Sequence, residues 1–311
     1  MNIQILQGNC IETLQKLDDK SINTCITSPP YWGLRNYNDE EKQLGMEDTP
    51  EEFVDNLVKV FREVKRVLRD DGTVWLNLGD SYSSGGRTTT TNQSLRGDKD
   101  YGVTRPKPSK GIKPKDLIGI PWRVALALQK DGWYLRQDII WHKPNPMPES
   151  VKDRCTKAHE YIFLLSKNVK YYFDNEAIKE DSKYHGKDKR SDKGNIRYEG
   201  KRTSNKDTKA QQSFVTINPK KNKRSVWTIT TKPFKGAHFA TFPKDLIEPC
   251  VLAGCPEGGT VLYPFGGSGT TGIVAVNHNR HAVLCELNQE YIDLAKDRIN
   301  QEGGMFVDIT E

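Results

Sequence analysis

The chain has 311 residues, 35% hydrophobic and 28% charged, which is enough to bury one full core and leave a polar appendage. No run of about 18 apolar residues occurs, and the start, Met1-Asn2-Ile3-Gln4, has neither a charged n-region nor an apolar h-region; neither a membrane span nor a secretory signal is expected, and the expected location is cytoplasmic. The net charge of +6 is uneven: residues 180–235 hold 16 basic and 6 acidic residues, a local +10, against −4 for all the rest.

Taken in order, the first 80 residues alternate between strand and helix patterns. Ile3 to Leu6 reads as a strand and Cys10 to Leu17 carries helix-period apolar residues. A second strand, Ile22 to Ile26, runs into Thr27-Ser28-Pro29-Pro30-Tyr31-Trp32, where two prolines must end it. Thr49-Pro50-Glu51-Glu52 is a capping box with proline at the first helical position. Phe53, Leu57, Phe61, Val64 and Leu68 form one apolar stripe, with Gly72 expected to close the helix. A buried strand, Thr73 to Leu78, follows. The stretch 85–115, rich in Gly, Pro, Thr and Lys, is expected to be a long mobile loop.

Ile120 to Gln129 reads as a helix, and Trp133 to Lys143 and Tyr161 to Ser166 as strands. Beyond the basic segment come a helix from about Pro243 to Leu252, a strand from Thr260 to Tyr263, a glycine-rich turn opening a helix, a strand ending at Glu286, and a last helix bearing Tyr291, Leu294, Ala295 and Ile299. Alternation of this kind indicates an α/β domain with a largely parallel sheet. The six cysteines (10, 25, 155, 250, 255 and 285) contain no C-x-x-C pair, so separate reduced thiols are expected, without a metal.

Two constellations carry chemistry. Gly267-x-Gly269-x-x-Gly272 follows a strand and opens a helix, and Glu286 ends the next strand. Glycines allow close backbone approach to a ligand, and a carboxylate at that place can accept both ribose hydroxyls, which points to an adenosine-containing cofactor. The pattern alone does not separate NAD from other such cofactors; a phosphate-binding P-loop is disfavoured because no Lys follows the glycines. The second constellation is Ser28-Pro29-Pro30-Tyr31-Trp32 at the carboxyl end of a strand, where doubly wound sheets bind ligands. It joins a hydroxyl acceptor, a carbonyl whose own nitrogen cannot donate, and a ring face. That set suits a planar base bearing an exocyclic amine, although a proline-rich turn with packed aromatics is the plainer alternative.

Thr27-Ser-Pro-Pro-Tyr-Trp-Gly-Leu-Arg35 resembles the catalytic motif of the amino-methylating DNA methyltransferases, which act on N4 of cytosine or N6 of adenine. Pro264-Phe-Gly-Gly-Ser-Gly-Thr-Thr271 resembles their S-adenosylmethionine motif, with Glu286 at the ribose-binding position. The order of the motifs is that of the β group, whose target-recognition region fills the gap between them. The resemblance implies a Rossmann-like methyltransferase fold with a mostly parallel seven-stranded sheet and helices on both faces. It also implies a catalytic half at 1–168, a basic target-recognition region at 169–236 and a cofactor-binding half at 237–311.

Residue by residue, it makes Ser28, Pro29, Pro30 and Tyr31 catalytic. It assigns Asn9, Cys10, Thr241, Pro264, Phe265, Gly266, Gly267, Ser268, Gly269, Thr270 and Glu286 to the cofactor, and His142 and Lys143 to the target-base pocket; Trp32 is placed in the same pocket, as wall or as stacking partner. Lys187, Lys189, Arg190, Arg197, Lys201, Arg202, Lys220, Lys221, Lys223 and Arg224 are candidate contacts to double-stranded DNA; phosphate and guanine contacts stay open for them. The family usually carries Asp where Tyr263 stands, and often where Asn9 stands. Asp80 is either a turn acceptor or a pocket contact, and Pro249-Cys250 reads as core.

The implied reaction is direct in-line attack by an extruded base's amine on a sulfonium methyl, with Ser28 Oγ and the Pro29 carbonyl holding the amine and Tyr31 stacking on the base. Cytosine N4 is the expected target and adenine N6 the alternative. A nucleotide-binding oxidoreductase, a non-catalytic DNA-binding module and a protein-glutamine methyltransferase are the competing readings. A cognate restriction endonuclease is a candidate partner, and the chain is expected to be a monomer or homodimer.

Overall fold

The structure, a computed structural model, describes residues 1–33, 44–83, 112–182, 219–231, 242–303 and 307–310. In chain order the elements begin β1 (Asn2–Gln7), α1 (Cys10–Leu14), β2 (Ile22–Thr27), α2 (Pro50–Val67), β3 (Leu68–Leu78), α3 (Ile120–Lys130), β4 (Tyr134–His142) and β5 (His159–Ser166). They continue with β6 (Glu180–Asp181), β7 (Lys220–Lys221), β8 (Val226–Thr228), α4 (Lys244–Gly254), β9 (Thr260–Tyr263), α5 (Thr270–Asn277), β10 (His281–Glu286), α6 (Gln289–Glu302) and β11 (Asp308–Thr310).

Chain contacts divide these residues into two compact units, Met1–Asp174 with Arg224–Glu311, and Asn175–Lys223. In the first unit the strands form one sheet in the order β11-β1-β10-β9-β2-β3-β5-β4-β8. All neighbours run parallel except at β5, which is antiparallel to both β3 and β4. Among the described residues this sheet has nine strands where seven were expected. The additional β8 and β11, three residues each at the two edges, are too short to show a period. β8, inside the range expected for recognition, pairs with β4 in this sheet.

The alternation of β3 explains why both faces are covered. Val74, Leu76 and Leu78 join the core cluster that α1, α2 and α3 build on one face. Trp75 points the other way, toward Gly254 of α4. α2 buries Phe53, Leu57, Phe61 and Val64 completely, each worth about 1.5–3 kcal/mol, which outweighs differences in helix propensity. Its start is capped as the sequence predicts, Glu52 N donating to Thr49 Oγ1 at 3.2 Å.

The end of α2 differs from expectation. The helix stops at Val67 and Gly72 lies inside β3. A Cβ at Gly72 would stand 3.0 Å from the Arg69 carbonyl oxygen and 3.1 Å from that of Asn23, so the glycine serves close strand packing rather than a helix cap.

In the second unit β6 and β7 pair antiparallel, Glu180 opposite Lys221 and Asp181 opposite Lys220. Of the loop expected over 85–115, only 112–115 are among the described residues. Among the described residues no helix is long and apolar enough to cross a membrane, and no cluster of metal-binding side chains occurs.

Candidate active site

β2 and β9 are hydrogen-bonded neighbours running the same way, Thr24 opposite Val261 and Cys25 opposite Leu262. The Ser28 segment and the glycine loop therefore leave adjacent strands at the same edge of the sheet. The Tyr263 hydroxyl reaches the Ser28 carbonyl oxygen at 3.4 Å, and its ring stacks on Phe242 with centroids 5.7 Å apart.

The glycine loop is held from two sides. Gly266 N donates to the Cys285 carbonyl at 2.6 Å; a Cβ there would come within 3.2 Å of that same oxygen. Gly267 and Gly269 have φ of +51° and +73°, which glycine adopts without strain. Glu286 Oε2 accepts from Gly267 N at 2.7 Å and Oε1 from Asn288 N at 2.9 Å. Burial, the largest influence, raises the Glu286 pKa against these backbone bonds, which lower it. Each carboxylate oxygen keeps capacity for a further hydrogen bond, so the half-buried carboxylate at the end of β10 suits a ribose diol. Thr27 Oγ1 and Thr271 Oγ1, both buried at this edge, have no hydrogen-bond partner among the described residues. Narrow glycines, a carboxylate acceptor and orphaned hydroxyls fit an adenosine-bearing cofactor.

Several residues assigned to that cofactor have other partners. Ser268 Oγ and Thr270 Oγ1 accept from Arg298 Nη1 at 2.8 and 3.1 Å, and the Ser268 carbonyl accepts from it at 2.6 Å. Their side chains thus face α6, and sequence reasoning missed Arg298, which looks like any polar helix position. Asn9 caps α1, accepting from Ile11 N at 3.0 Å. Cys10 is core, its thiol pushed up to about 12 mainly by burial. Phe265 packs against the core, and Pro264 joins β9 to the loop. Thr241 lies outside the described residues.

On the other strand end, Pro29 is buried and Ser28, Pro30 and Tyr31 are half-buried. Tyr31 Oη donates to Glu160 Oε2 at 2.8 Å and lies 3.3 Å from Asn77 Oδ1. Burial first, and the Glu160 charge second, push its phenol well above the ordinary value. Lys143 forms an ion pair with Glu160 and stands 4.2 Å over the Trp141 ring. His142 Nδ1 is 3.1 Å from Thr228 Oγ1. Trp32 is 5% exposed, belongs to the core cluster, and donates its indole N–H to the Glu47 carbonyl at 2.9 Å, which favours wall over stacking partner.

Asp80 is a turn acceptor. Its Oδ1 receives Ser81 N, Gly119 N and Ile120 N at 2.9, 3.0 and 3.2 Å, fastening the start of α3. Cys250 is buried with its Sγ 3.5 Å from the Leu246 carbonyl, as a core residue should be. Glu160 went unrecognised in the sequence; Asn77, a polar residue inside the apolar end of β3, was the visible signal.

Of the basic candidates, Lys187, Lys189, Arg190, Arg197, Lys201 and Arg202 lie outside the described residues. Lys221 pairs with Glu180 at 3.2 Å within the second unit, which also holds Lys220 and Lys223. Arg224 lies in the first unit, where its carbonyl accepts from Trp227 Nε1 at 2.7 Å.

The family model of the N6/N4 methyltransferases, described as DNA methylase, matches residues 22–297. The type II methyltransferase M.SmaI of Serratia marcescens is 49% identical over 299 residues, covering 95% of this chain and 90% of its own length. Among solved structures, the PvuII DNA methyltransferase (cytosine-N4-specific) superposes with a TM-score of 0.63 at 20% identity, covering 96% of this chain and 86% of the other. A DNA modification methylase from Thermus thermophilus complexed with S-adenosyl-L-methionine gives 0.59 at 23%, covering all of both chains. These two likenesses are of fold.

Proposed function

The chain belongs to the N6/N4 DNA methyltransferase family and is a site-specific DNA methyltransferase, and from that premise we propose that it methylates N4 of cytosine on a base turned out of double-stranded DNA. S-adenosyl-L-methionine, when bound, supplies a methyl group made electrophilic by its sulfonium. The backbone from Pro264 to Gly269, the Glu286 carboxylate and the Asn9 turn are the residues that would hold it.

Ser28 Oγ and the Pro29 carbonyl oxygen accept the two amine hydrogens. Those bonds draw the nitrogen toward a tetrahedral shape and turn its lone pair outward, and they stabilise the positive charge that develops on it. The gain is one of positioning, and no covalent intermediate with the protein is needed. The departing proton goes to Ser28 or to solvent. Tyr31 offers the ring on which the extruded base rests. The basic region from 169 to 236 makes the DNA contacts that choose the site, and a cognate restriction endonuclease is the partner this reading implies.

One observation carries the proposal: the Ser28 segment and the glycine loop leave neighbouring parallel strands, joined by the Tyr263–Ser28 contact at 3.4 Å. The choice of cytosine rests on Ser28, since serine before Pro-Pro-Tyr is commoner in the cytosine-N4 members that the motif resembles. Genomic DNA from cells expressing the protein, sequenced with modified-base detection, tests both base and site. N4-methylcytosine in one sequence context supports the reading, and N6-methyladenine in one context would replace cytosine by adenine.

A further inference from the structure

Glu160 lies at the start of β5, opposite Trp141 of β4, and both its carboxylate oxygens are engaged. Oε2 accepts from Tyr31 Oη at 2.8 Å and from Asn77 Nδ2 at 3.3 Å, and Oε1 pairs with the Lys143 ammonium. The two charged side chains are only 15% and 18% exposed. An ion pair so far from water is weak evidence for stability, because apolar side chains of similar volume often serve as well. This pair does something apolar side chains could not: it presents a fixed acceptor to a phenol.

The same ring is held on its flank. A Cβ at Gly79 would stand 2.6 Å from Tyr31 Cε2, so the backbone there lies directly against the ring. Gly79 fixes where the ring plane sits, and Glu160 fixes where its hydroxyl points. A ring held at both places meets an incoming base without reorganising, and positioning of that kind is realised in the reaction rate.

We propose that Glu160, itself held by Lys143 and Asn77, is the positioning residue that sets Tyr31 for the target base. The inference rests on the base-methylation reading above and names a residue which that reading does not use. It makes three variants report on one hydrogen bond. Glu160→Ala removes the acceptor, Tyr31→Phe removes the donor, and Glu160→Gln keeps a carbonyl oxygen able to accept.

The test is a double-mutant cycle on the full chain, with unmethylated phage genomic DNA and tritiated S-adenosyl-L-methionine, read as kcat and KM for DNA. Cofactor affinity and Tm are measured alongside. Glu160→Ala and Tyr31→Phe should each lower kcat by about tenfold or more, as loss of a hydrogen bond to a charged group does. The double variant should be no slower than Tyr31→Phe alone, Glu160→Gln should recover most of the loss, and cofactor affinity should hold throughout. Should Glu160→Ala not fold, Glu160→Leu completes the cycle. Losses that multiply in the double variant, or a Gln variant as slow as Ala, would overturn the positioning role while leaving the methylation reading intact. A wild-type chain that puts no label into DNA would overturn both.

Discussion

The hydroxyl of Tyr263 lies 3.4 Å from the carbonyl oxygen of Ser28, bridging the ends of two adjacent parallel strands. It stands where the motif resemblance leads one to expect an aspartate, and in this chain it reaches the backbone of the Ser28 segment. Tyr263→Phe should keep the fold and the Phe242 stacking while freeing the Ser28 carbonyl. A neutral hydrogen bond contributes about 0.5–1.5 kcal/mol, so kcat should fall about three- to tenfold with cofactor affinity little changed. Steady-state kinetics beside calorimetric titration of the cofactor distinguish these; a variant that loses affinity but keeps kcat would assign Tyr263 to the cofactor instead.

Gly79→Ala introduces a methyl 2.6 Å from Tyr31 Cε2, inside any allowed contact. Either the ring or the strand end must move, at about 1–3 kcal/mol. The expected result is a fall in kcat of at least about tenfold with a smaller effect on Tm. Unchanged turnover would mean that the ring position is not what the reaction uses.

Arg298 joins α6 to the glycine loop through the Ser268 carbonyl and the hydroxyls of Ser268 and Thr270. Arg298→Ala leaves those buried groups without this donor, and cofactor Kd should rise by about tenfold. At saturating cofactor, kcat should stay near wild type, because the loop and not the Ser28 segment is loosened. A fall in kcat with no change in Kd would contradict this.

The burial of Glu286 gives its role a pH signature. Its pKa in the folded protein is raised above its unfolded value, so its contribution to stability is fully present below the unfolded value and is lost as pH rises through the folded one. Cofactor binding runs the opposite way, since the ionised carboxylate is the better acceptor. Affinity should therefore weaken on acidification through the raised pKa while the fold does not lose stability through this group. In Glu286→Gln that step should vanish, leaving affinity low at every pH. An identical pH profile in the two proteins would remove Glu286 from the cofactor site.

Much of this architecture could be read from the chain, and the exceptions have physical causes. The capping box at Thr49 and the stripe on α2 are local signals, so the start of that helix and its buried face were legible. The turns at Pro29-Pro30 and Gly267 likewise carry their own chemistry. Gly72 misled, because a glycine after a helical stripe looks like a cap until the neighbouring backbone of Asn23 is known. Glu160 and Arg298 were illegible for a similar reason. Nothing within a few residues marks either one, and each acquires its role only when β5 meets β3 and β4, or when α6 meets the glycine loop. Trp32 suits wall and stacking partner equally by sequence, and only its burial and its hydrogen bond to Glu47, fifteen residues away, favour the wall.

Mass spectrometry of nucleosides from DNA incubated with S-adenosyl-L-methionine and either the wild-type protein or Ser28→Ala tests most directly whether Ser28 grips the reacting amine. That role requires N4-methylcytosine from the wild type and a loss of about a hundredfold or more in the variant, the scale expected when a group that orients the reacting atom is removed. Full methylation by Ser28→Ala would contradict it, because the methyl would then reach the base without the oxygen held to grip its amine.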